Sequence, residues 1–302
     1  MSEDLSRRRF LRDTAAVAAA VAMTKVARAD DPRAKVVVVT CPKAIDDKDN
    51  ADPAAVRTML EKGICALAGK DQPADAWKSF VQPSDKVCLV DSGTWLLNVP
   101  SVPAEVARGL KSAGPAGFTF AVCASAAKNT AYVAALKAAM AAAGVPENVV
   151  RTDLYLQPGK VSEQGFTLIS TTPTLKKHLI CGVSGVIKHY ATFSQTHVKN
   201  HHPNAMATCG QPLGDEFKSY KHLTVVDALR WGDGRKGPAY YQKSLLLSTD
   251  PVAADVIALK LYLQNMEAFP GLPPELHRNN ADKLYHAGIA DLARIDVTKV
   301  DL

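Results

Sequence analysis

The sequence contains no run of about 18 uncharged apolar residues, so it predicts no stable transmembrane span. It has no Cys-x-x-Cys motif, which argues against thioredoxin-like redox chemistry and cysteine-rich zinc ribbons. The closely spaced cysteines that hold ferredoxin-type iron–sulfur clusters are missing too. No Gly-x-Gly-x-x-Gly follows the first predicted strand, and no Gly-x-Ser-x-Gly is present. Nicotinamide dehydrogenases and serine hydrolases are therefore disfavoured.

The composition is that of an ordinary globular protein, with 302 residues, 47% of them hydrophobic and 22% charged. The net charge of +6 is unevenly distributed. The first 29 residues carry six basic and three acidic residues, whereas the remainder carries thirty basic and twenty-seven acidic ones. Because binding to nucleic-acid phosphates needs a clustered basic face, we expect no nucleic-acid partner.

The N-terminus has the three parts of a secretory signal. The motif Ser-Arg-Arg-Arg-Phe-Leu-Arg begins at Ser6, an alanine-rich apolar stretch covers 14–23, and the small-residue pattern Ala-Arg-Ala ends at Ala29. The motif resembles the twin-arginine export signal, with Arg7 and Arg8 as the pair. This resemblance implies transport by the twin-arginine machinery and a periplasmic or other extracytoplasmic location.

Downstream of this predicted signal over residues 1–29, strand and helix patterns alternate. Such alternation predicts an α/β fold with a mostly parallel sheet flanked by helices, here as a single domain over 30–302. The strand candidates are 35–40, 86–90, 118–123, 149–156, 166–171, 223–226 and 244–247, and the helix candidates are 53–68, 103–112, 129–143 and 252–263. In such folds the function collects on loops beyond the strand ends.

Histidines are concentrated in one irregular interval, where five of the eight fall between residues 178 and 202. Neutral imidazole is a common transition-metal ligand and titrates near neutrality. The alternative is a solvated basic loop, since neither His-Glu-x-x-His nor paired cysteines with paired histidines are present. If a transition metal binds here, the candidate ligands are His197, His201, His202 and Cys209.

The most specific internal pattern is Pro-Thr-Leu-Lys-Lys-His over 173–178, followed by Gly-Val-Ser-Gly-Val-Ile-Lys over 182–188. Lysines and glycines around a turn suit anion binding, because backbone N–H groups and ammonium groups can both point at the ligand. A lysine buried at such a site can also serve as a base or a covalent tether. The alternative is a helix start that packs closely through its glycines. The candidate catalytic residues are Lys176, His178 and Lys188, and Gly182 and Gly185 are candidates for ligand contact.

These two segments resemble the central motif of the family called domain of unknown function 362. Residues 224–227 and 246–255 resemble its two later blocks, so the resemblance covers most of the chain after the signal. It implies an α/β domain, found in some members behind an export signal, and contact with a ligand or substrate by the two lysines and the histidine of the central motif. Thr174 replaces the first lysine of that motif, and His189 replaces its asparagine. No general activity follows from membership.

Two carboxylates complete the candidate site. Asp227 ends a predicted strand and Asp250 precedes a predicted helix, so both are expected to face one cleft as ligand-binding residues. The alternative for Asp250 is an N-cap before Pro251. Asp255 is a candidate cap or salt-bridge residue within the following helix.

Three functional interpretations remain open from the sequence. The first is an exported protein that binds a small anion or a metal-containing cofactor in a Lys/His-rich cleft, with proton transfer as the chemistry if it is an enzyme. The second is a non-catalytic periplasmic metal-binding protein that uses the His197–His202 loop. The third is a structural envelope factor.

Overall fold

The computed structural model describes residues 32–91, 96–154, 159–195 and 204–302. Within these ranges, five side chains are left out of the description, namely those of Ala124, Ser125, Ala205, Met206 and Arg235. The predicted export signal lies outside the described residues. From Arg33 to Leu302 the chain groups as one unit.

Short apolar runs form the strands, and the Val-rich run after Lys35 lies in the first of them. Consecutive residues of this strand are buried, because helices cover both faces of the sheet. The strands are β1 Ala34–Thr40, β2 Lys86–Asp91, β3 Gly117–Ala121, β4 Val150–Arg151, β5 Leu168–Thr172, β6 Lys176–His178, β7 Gly182–Ser184, β8 Lys221–Ala228, β9 Trp231–Gly232, β10 Pro238–Tyr240, β11 Ser244–Ser248 and β12 Ile295–Asp301.

Eight of these strands form one sheet in the order β12-β1-β11-β8-β5-β2-β3-β4. All its neighbouring pairs are parallel except the two that involve β11. The predicted α/β fold with a mostly parallel sheet is therefore confirmed. The remaining strands form a small second sheet in the order β10-β9-β6-β7.

Helix ends follow the capping signals in the sequence. The helices are α1 Pro53–Ala68, α2 Pro73–Phe80, α3 Ser101–Ser112, α4 Ala124–Ala127, α5 Thr130–Ala142, α6 Lys160–Glu163, α7 Val186–Phe193, α8 Ala205–Thr208, α9 Gln211–Gly214, α10 Pro251–Tyr262 and α11 Leu276–Lys283. The carboxylate of Asp52 accepts from the N–H of Ala54 at 2.9 Å, and Gly69 ends α1 in the left-handed region with φ 65°. Asn129 caps α5 in the same way.

Some predicted boundaries are wrong for identifiable reasons. The helix predicted at 103–112 begins at Ser101, because Pro103 is tolerated in a first turn, where its missing N–H has no partner to lose. The strand predicted at 118–123 ends at Ala121, since the N–H of Cys123 turns to the carboxylate of Asp91. In the described part of the strand predicted at 149–156, which ends at residue 154, Val150–Arg151 is the stretch that pairs with a neighbour, the end of β3.

Among the described residues, none of the helices is both long enough and apolar enough to cross a lipid bilayer.

Candidate functional site

Strands β2, β5 and β8 are adjacent and parallel, so their carboxyl ends lie together along one side of the large sheet, which is called this edge below. The chain continues from this edge into the small sheet. After β5 the chain enters β6, and the carbonyl of Pro173 accepts from the N–H of Asp227 at the end of β8 at 2.8 Å. In α/β folds such an edge is where ligands bind. This connection brings the central lysine and glycine motif to the carboxyl ends of these strands.

Lys176 points inward from β6, and its neighbour points outward. Lys176 pairs with Ser184 of β7 and with Gly232 of β9 and is only 4% exposed. A Cβ atom on Gly232 would lie 3.3 Å from that of Lys176, so this glycine leaves room for the lysine side chain. Lys177, the next residue, forms an ion pair with Asp233 at 3.2 Å on the outer side. The alternation of the strand therefore separates two adjacent lysines into different environments.

Lys188 lies in the first turn of α7 and is 3% exposed. The start of this helix is fixed by Asp255 of α10, whose carboxylate accepts from the N–H of Ile187 at 3.0 Å. Gly185 precedes the helix, and a Cβ atom there would lie 2.1 Å from the same carboxylate. The glycine thus allows the contact that positions Lys188, in agreement with the packing interpretation of the motif. Gly182 has φ 71° and a backbone carbonyl 2.8 Å from its Cβ position, which also favours a packing role.

A buried ion pair lies behind this helix start. Asp255 accepts from Arg278 of α11 at 2.8 Å, and the two side chains are 0% and 1% exposed. The guanidinium also donates to the carbonyl of Pro274 at 2.6 Å. Asp255 was expected to cap or to form a salt bridge within its own helix, but it does both for other helices, because its carboxylate faces the start of α7 and the guanidinium of Arg278. Arg278 was not identified from the sequence, because nothing near it in the chain indicates a buried partner.

The two buried lysines have unusual electrostatics. Burial lowers the pKa of Lys176 to about 8, and the charge of Lys188 lowers it further while the nearby thiols of Cys123 and Cys181 oppose the shift. Within the described residues, no carboxylate forms an ion pair with either ammonium group. The site therefore holds two mutually repelling cations without a matching internal anion.

The two histidines beside the lysines, His178 and His189, are buried. Burial lowers the pKa of His189 to about 3, and the charge of Lys176 adds to this effect, while a hydrogen bond to the backbone of Val90 opposes it. His178 follows Lys176 on β6, and its Nδ1 accepts from the N–H of Ile180 at 3.2 Å. Neither ring supplies a negative charge that could balance the lysines.

Two buried carboxylates lie at this edge, at the ends of β8 and β2, the two strands that flank β5. Asp227 accepts from the side chain of Asn98 at 3.0 Å and from the N–H of Val99 at 2.8 Å, while burial raises its pKa. Asp91, at the end of β2, accepts from the N–H of Cys123 at 2.5 Å and from the hydroxyl of Tyr132 at 3.0 Å. Burial raises the pKa of Asp91 to about 7. Sequence reasoning missed Asp91, although an acidic residue directly after an apolar strand run was the available signal.

Asp250 does not join this group. It caps α10 by accepting from the N–H groups of Val252 and Ala253 at 2.9 Å, and its other oxygen accepts from Ile289 at 2.9 Å. Because β11 runs antiparallel to β8, its carboxyl end lies at the opposite edge of the sheet from Asp227. The expectation that Asp227 and Asp250 share one cleft is therefore corrected, and the N-cap alternative describes Asp250.

Of the candidate metal ligands, His197, His201 and His202 lie outside the described residues. Cys209 is described and buried, and burial raises the pKa of its thiol to about 11. All six cysteines are free thiols. Within the described ranges, no three His, Cys, Asp or Glu side chains converge in a way that would hold a metal ion.

Comparison of the chain with protein-family models, with curated proteins and with solved structures finds no match in any of the three. The resemblance to the family of domain of unknown function 362 accordingly stays a prediction that rests on the motifs.

Proposed function

We propose that this chain is an exported protein that binds a small anion between Lys176 and Lys188. The observation that carries the proposal is the buried pair of lysines without an acidic partner among the described residues. Both side chains lie where α/β proteins bind ligands, beyond the carboxyl ends of parallel strands.

Charge balance supports an anion rather than a neutral ligand. Transfer of an ammonium group out of water is costly unless an opposite charge or several hydrogen bonds compensate it. Asp255 is already paired with Arg278, and Asp227 with backbone and side-chain N–H groups. The proposed ligand supplies the missing negative charge, and a carboxylate or phosphate group accepts hydrogen bonds from two ammonium groups at once.

Proton transfer to or from such a ligand is the chemistry that the site offers if it catalyses a reaction, with Lys176 and His178 as the candidate groups. His178 and His189 are both adjacent in sequence or space to the lysines. We propose the anion site as the function itself and proton transfer as its accessible chemistry.

The test is isothermal titration calorimetry of the mature chain with phosphate, malonate and glycolate in a buffer of low anion content. Lys176→Met and Lys188→Met each remove one charge without a large change in volume, and we expect each to weaken binding about tenfold or more. Lys177→Met is the matched control, because Lys177 lies next in the same strand but pairs outward with Asp233. Equal affinities in all four proteins would contradict the proposal.

Export is tested separately from binding. We expect the mature chain recovered from the periplasm to begin near Asp30, as measured by intact mass. Replacement of Arg7 and Arg8 by lysine is expected to retain the full-length precursor in the cytoplasm, and unchanged processing of that variant would contradict twin-arginine export.

A further inference from the structure

We infer that Lys176 forms an imine with the carbonyl group of a small oxo acid whose carboxylate is bound by Lys188. This inference rests on the proposed anion site and adds to it a reactive amine and a class of ligand.

The geometry sets the two lysines apart in role. Lys176 lies on a strand that is paired on both sides, with Ser184 on one neighbour and Gly232 on the other. Lys188 lies one helical turn beyond the second strand of that hairpin, on a helix whose start is held by Asp255. Both side chains are thus carried by fixed backbone, and both are buried, on adjoining elements of the hairpin and the helix that follows it.

Nucleophilic attack needs a neutral amine, and this site produces one. A lysine is made nucleophilic by burial and by a neighbouring cation. With a pKa of about 8, about one-tenth of Lys176 is neutral at pH 7, against less than about one-thousandth of an ordinary lysine. Of the groups around it, the charge of Lys188 lowers its pKa further, while Cys123 and Cys181 oppose the shift without cancelling it.

The reaction balances without an external co-reactant. The nitrogen of neutral Lys176 attacks the carbonyl carbon, and the carbonyl oxygen takes up a proton to give a carbinolamine. Loss of the hydroxyl group together with the second amine hydrogen leaves a C=N bond and releases one water molecule. No atom is oxidised or reduced in these steps.

The ligand class follows from the two contacts. A carbonyl group must reach Lys176 while a carboxylate stays at Lys188, which describes an oxo acid and excludes simple aldehydes. Glyoxylate is the smallest such acid, so any site built for this class admits it. Glycolate carries the same carboxylate without the carbonyl group and reports on the anion site alone.

The experiment is reduction of the mature chain with borohydride in the presence of glyoxylate, followed by peptide mass analysis. An imine is converted into a stable carboxymethyl-lysine, and we expect the modified fraction at Lys176 to exceed that at Lys236 at least tenfold. Lys236 is the internal reference, since its side chain is 86% exposed. Acetaldehyde in place of glyoxylate is expected to lose this preference, because it lacks the carboxylate.

The variants separate the two parts of the inference. Lys176→Arg keeps the charge but forms no imine, so we expect no reducible adduct at that position. Lys188→Met is expected to lower the adduct at Lys176 about tenfold. If glycolate binds wild-type protein but Lys176 is modified no more than Lys236, the imine is wrong and the anion site stands. If neither glycolate nor glyoxylate binds and no preferred adduct forms, both are wrong.

Discussion

At the scale of single residues, the molecule places ionisable groups where water cannot stabilise their charged forms. Lys176, His189 and Asp91 all lie at one edge of the sheet. Burial lowers the pKa of Lys176 and of His189 and raises that of Asp91, which in each case favours the neutral form. Each shift links protonation to folding, so each predicts a dependence of stability on pH.

Lys176 is expected to destabilise the anion-free fold as the pH falls. Its pKa is about 8 in the folded chain and about 10.5 when exposed, so the unfolded chain binds the proton more tightly. Stability should fall between about pH 10.5 and pH 8 by roughly 3 kcal/mol from this group and then stay level. Urea denaturation of wild type and Lys176→Met at pH 7 and pH 10 measures the difference. A Lys176→Met protein no more stable than wild type at pH 7 would contradict the account, and Lys177→Met serves as control.

His189 is expected to stay neutral in the folded chain at pH 5, where an exposed histidine is mostly protonated. Its folded pKa of about 3 lies below the unfolded value, so its contribution to stability is present above about pH 6.5 and is lost as the pH falls toward 3. Long-range nitrogen–proton correlation spectra of the imidazole rings report the protonation state directly. A His189 ring that is cationic at pH 5 in the folded protein would contradict this prediction and would show that water reaches the ring.

At the scale of elements, the position of α7 decides whether the site is formed. The N-terminus of this helix is held by Asp255, and that carboxylate is held in turn by Arg278 from a helix 23 residues further along the chain. A buried charge whose partner is removed is strongly destabilising. The ion pair therefore serves the site by keeping the helix start, and with it Lys188, in place.

Asp255→Asn is expected to lower the free energy of unfolding by about 3–5 kcal/mol, because it leaves Arg278 charged and buried. Asp296→Asn is the matched control, since it breaks an exposed ion pair with Arg33. The Arg33 side chain is 40% exposed and the Asp296 side chain is 56% exposed. We expect that control to cost less than about 1 kcal/mol. Urea unfolding of both variants makes the comparison, and similar losses in the two would contradict the role given to Asp255.

How much of this could be predicted from the sequence depends on how local the signal is. The caps at Asp52 and Asn129 act within three residues, and the helices they start were predicted. The small sheet was not predicted, because its strands are only two or three residues long and its two hairpins are joined by a pair more than 50 residues apart, Lys176 with Gly232.

The same distinction holds for the site. The lysines of the central motif were predicted from a pattern of about fifteen neighbouring residues, and they are buried at the expected edge. Arg278 and Asp91 were missed because their partners are distant in the chain. The prediction that Asp227 and Asp250 share a cleft was wrong because β11 runs antiparallel to β8. The direction of a strand depends on its partners in the sheet and cannot be read from either local segment.

At the scale of the whole molecule, the topology gathers residues from much of the chain at one edge. Strands β2, β5 and β8 are neighbours in the sheet although they are separated in sequence, and each ends with polar residues at the same side. Because β11 is antiparallel to β8, α10 starts at the opposite edge of the sheet. The helix carries Asp255, whose carboxylate contacts the start of α7. The proposed anion site is thus a product of the complete domain.

This arrangement predicts that anion binding does not depend on a bound metal ion. Treatment of the mature protein with EDTA, and replacement of His201 and His202 by alanine, are expected to leave the affinity for the anion unchanged, since lysines supply the proposed contacts. Elemental analysis before and after treatment shows whether a metal was present. A loss of anion affinity that is restored by adding back a divalent metal would instead favour the metal-binding interpretation of the histidine loop.

The most direct measurement is the pKa of Lys176 itself. It is obtained from an NMR pH titration of protein labelled with carbon-13 at the lysine side chains, with the Lys176 signal assigned by its absence in Lys176→Met. The account predicts titration near pH 8 in a buffer of low anion content and a higher pKa once an anion neutralises the pair. Titration near the ordinary value of lysine, unchanged by any of the anions, would contradict the proposed site.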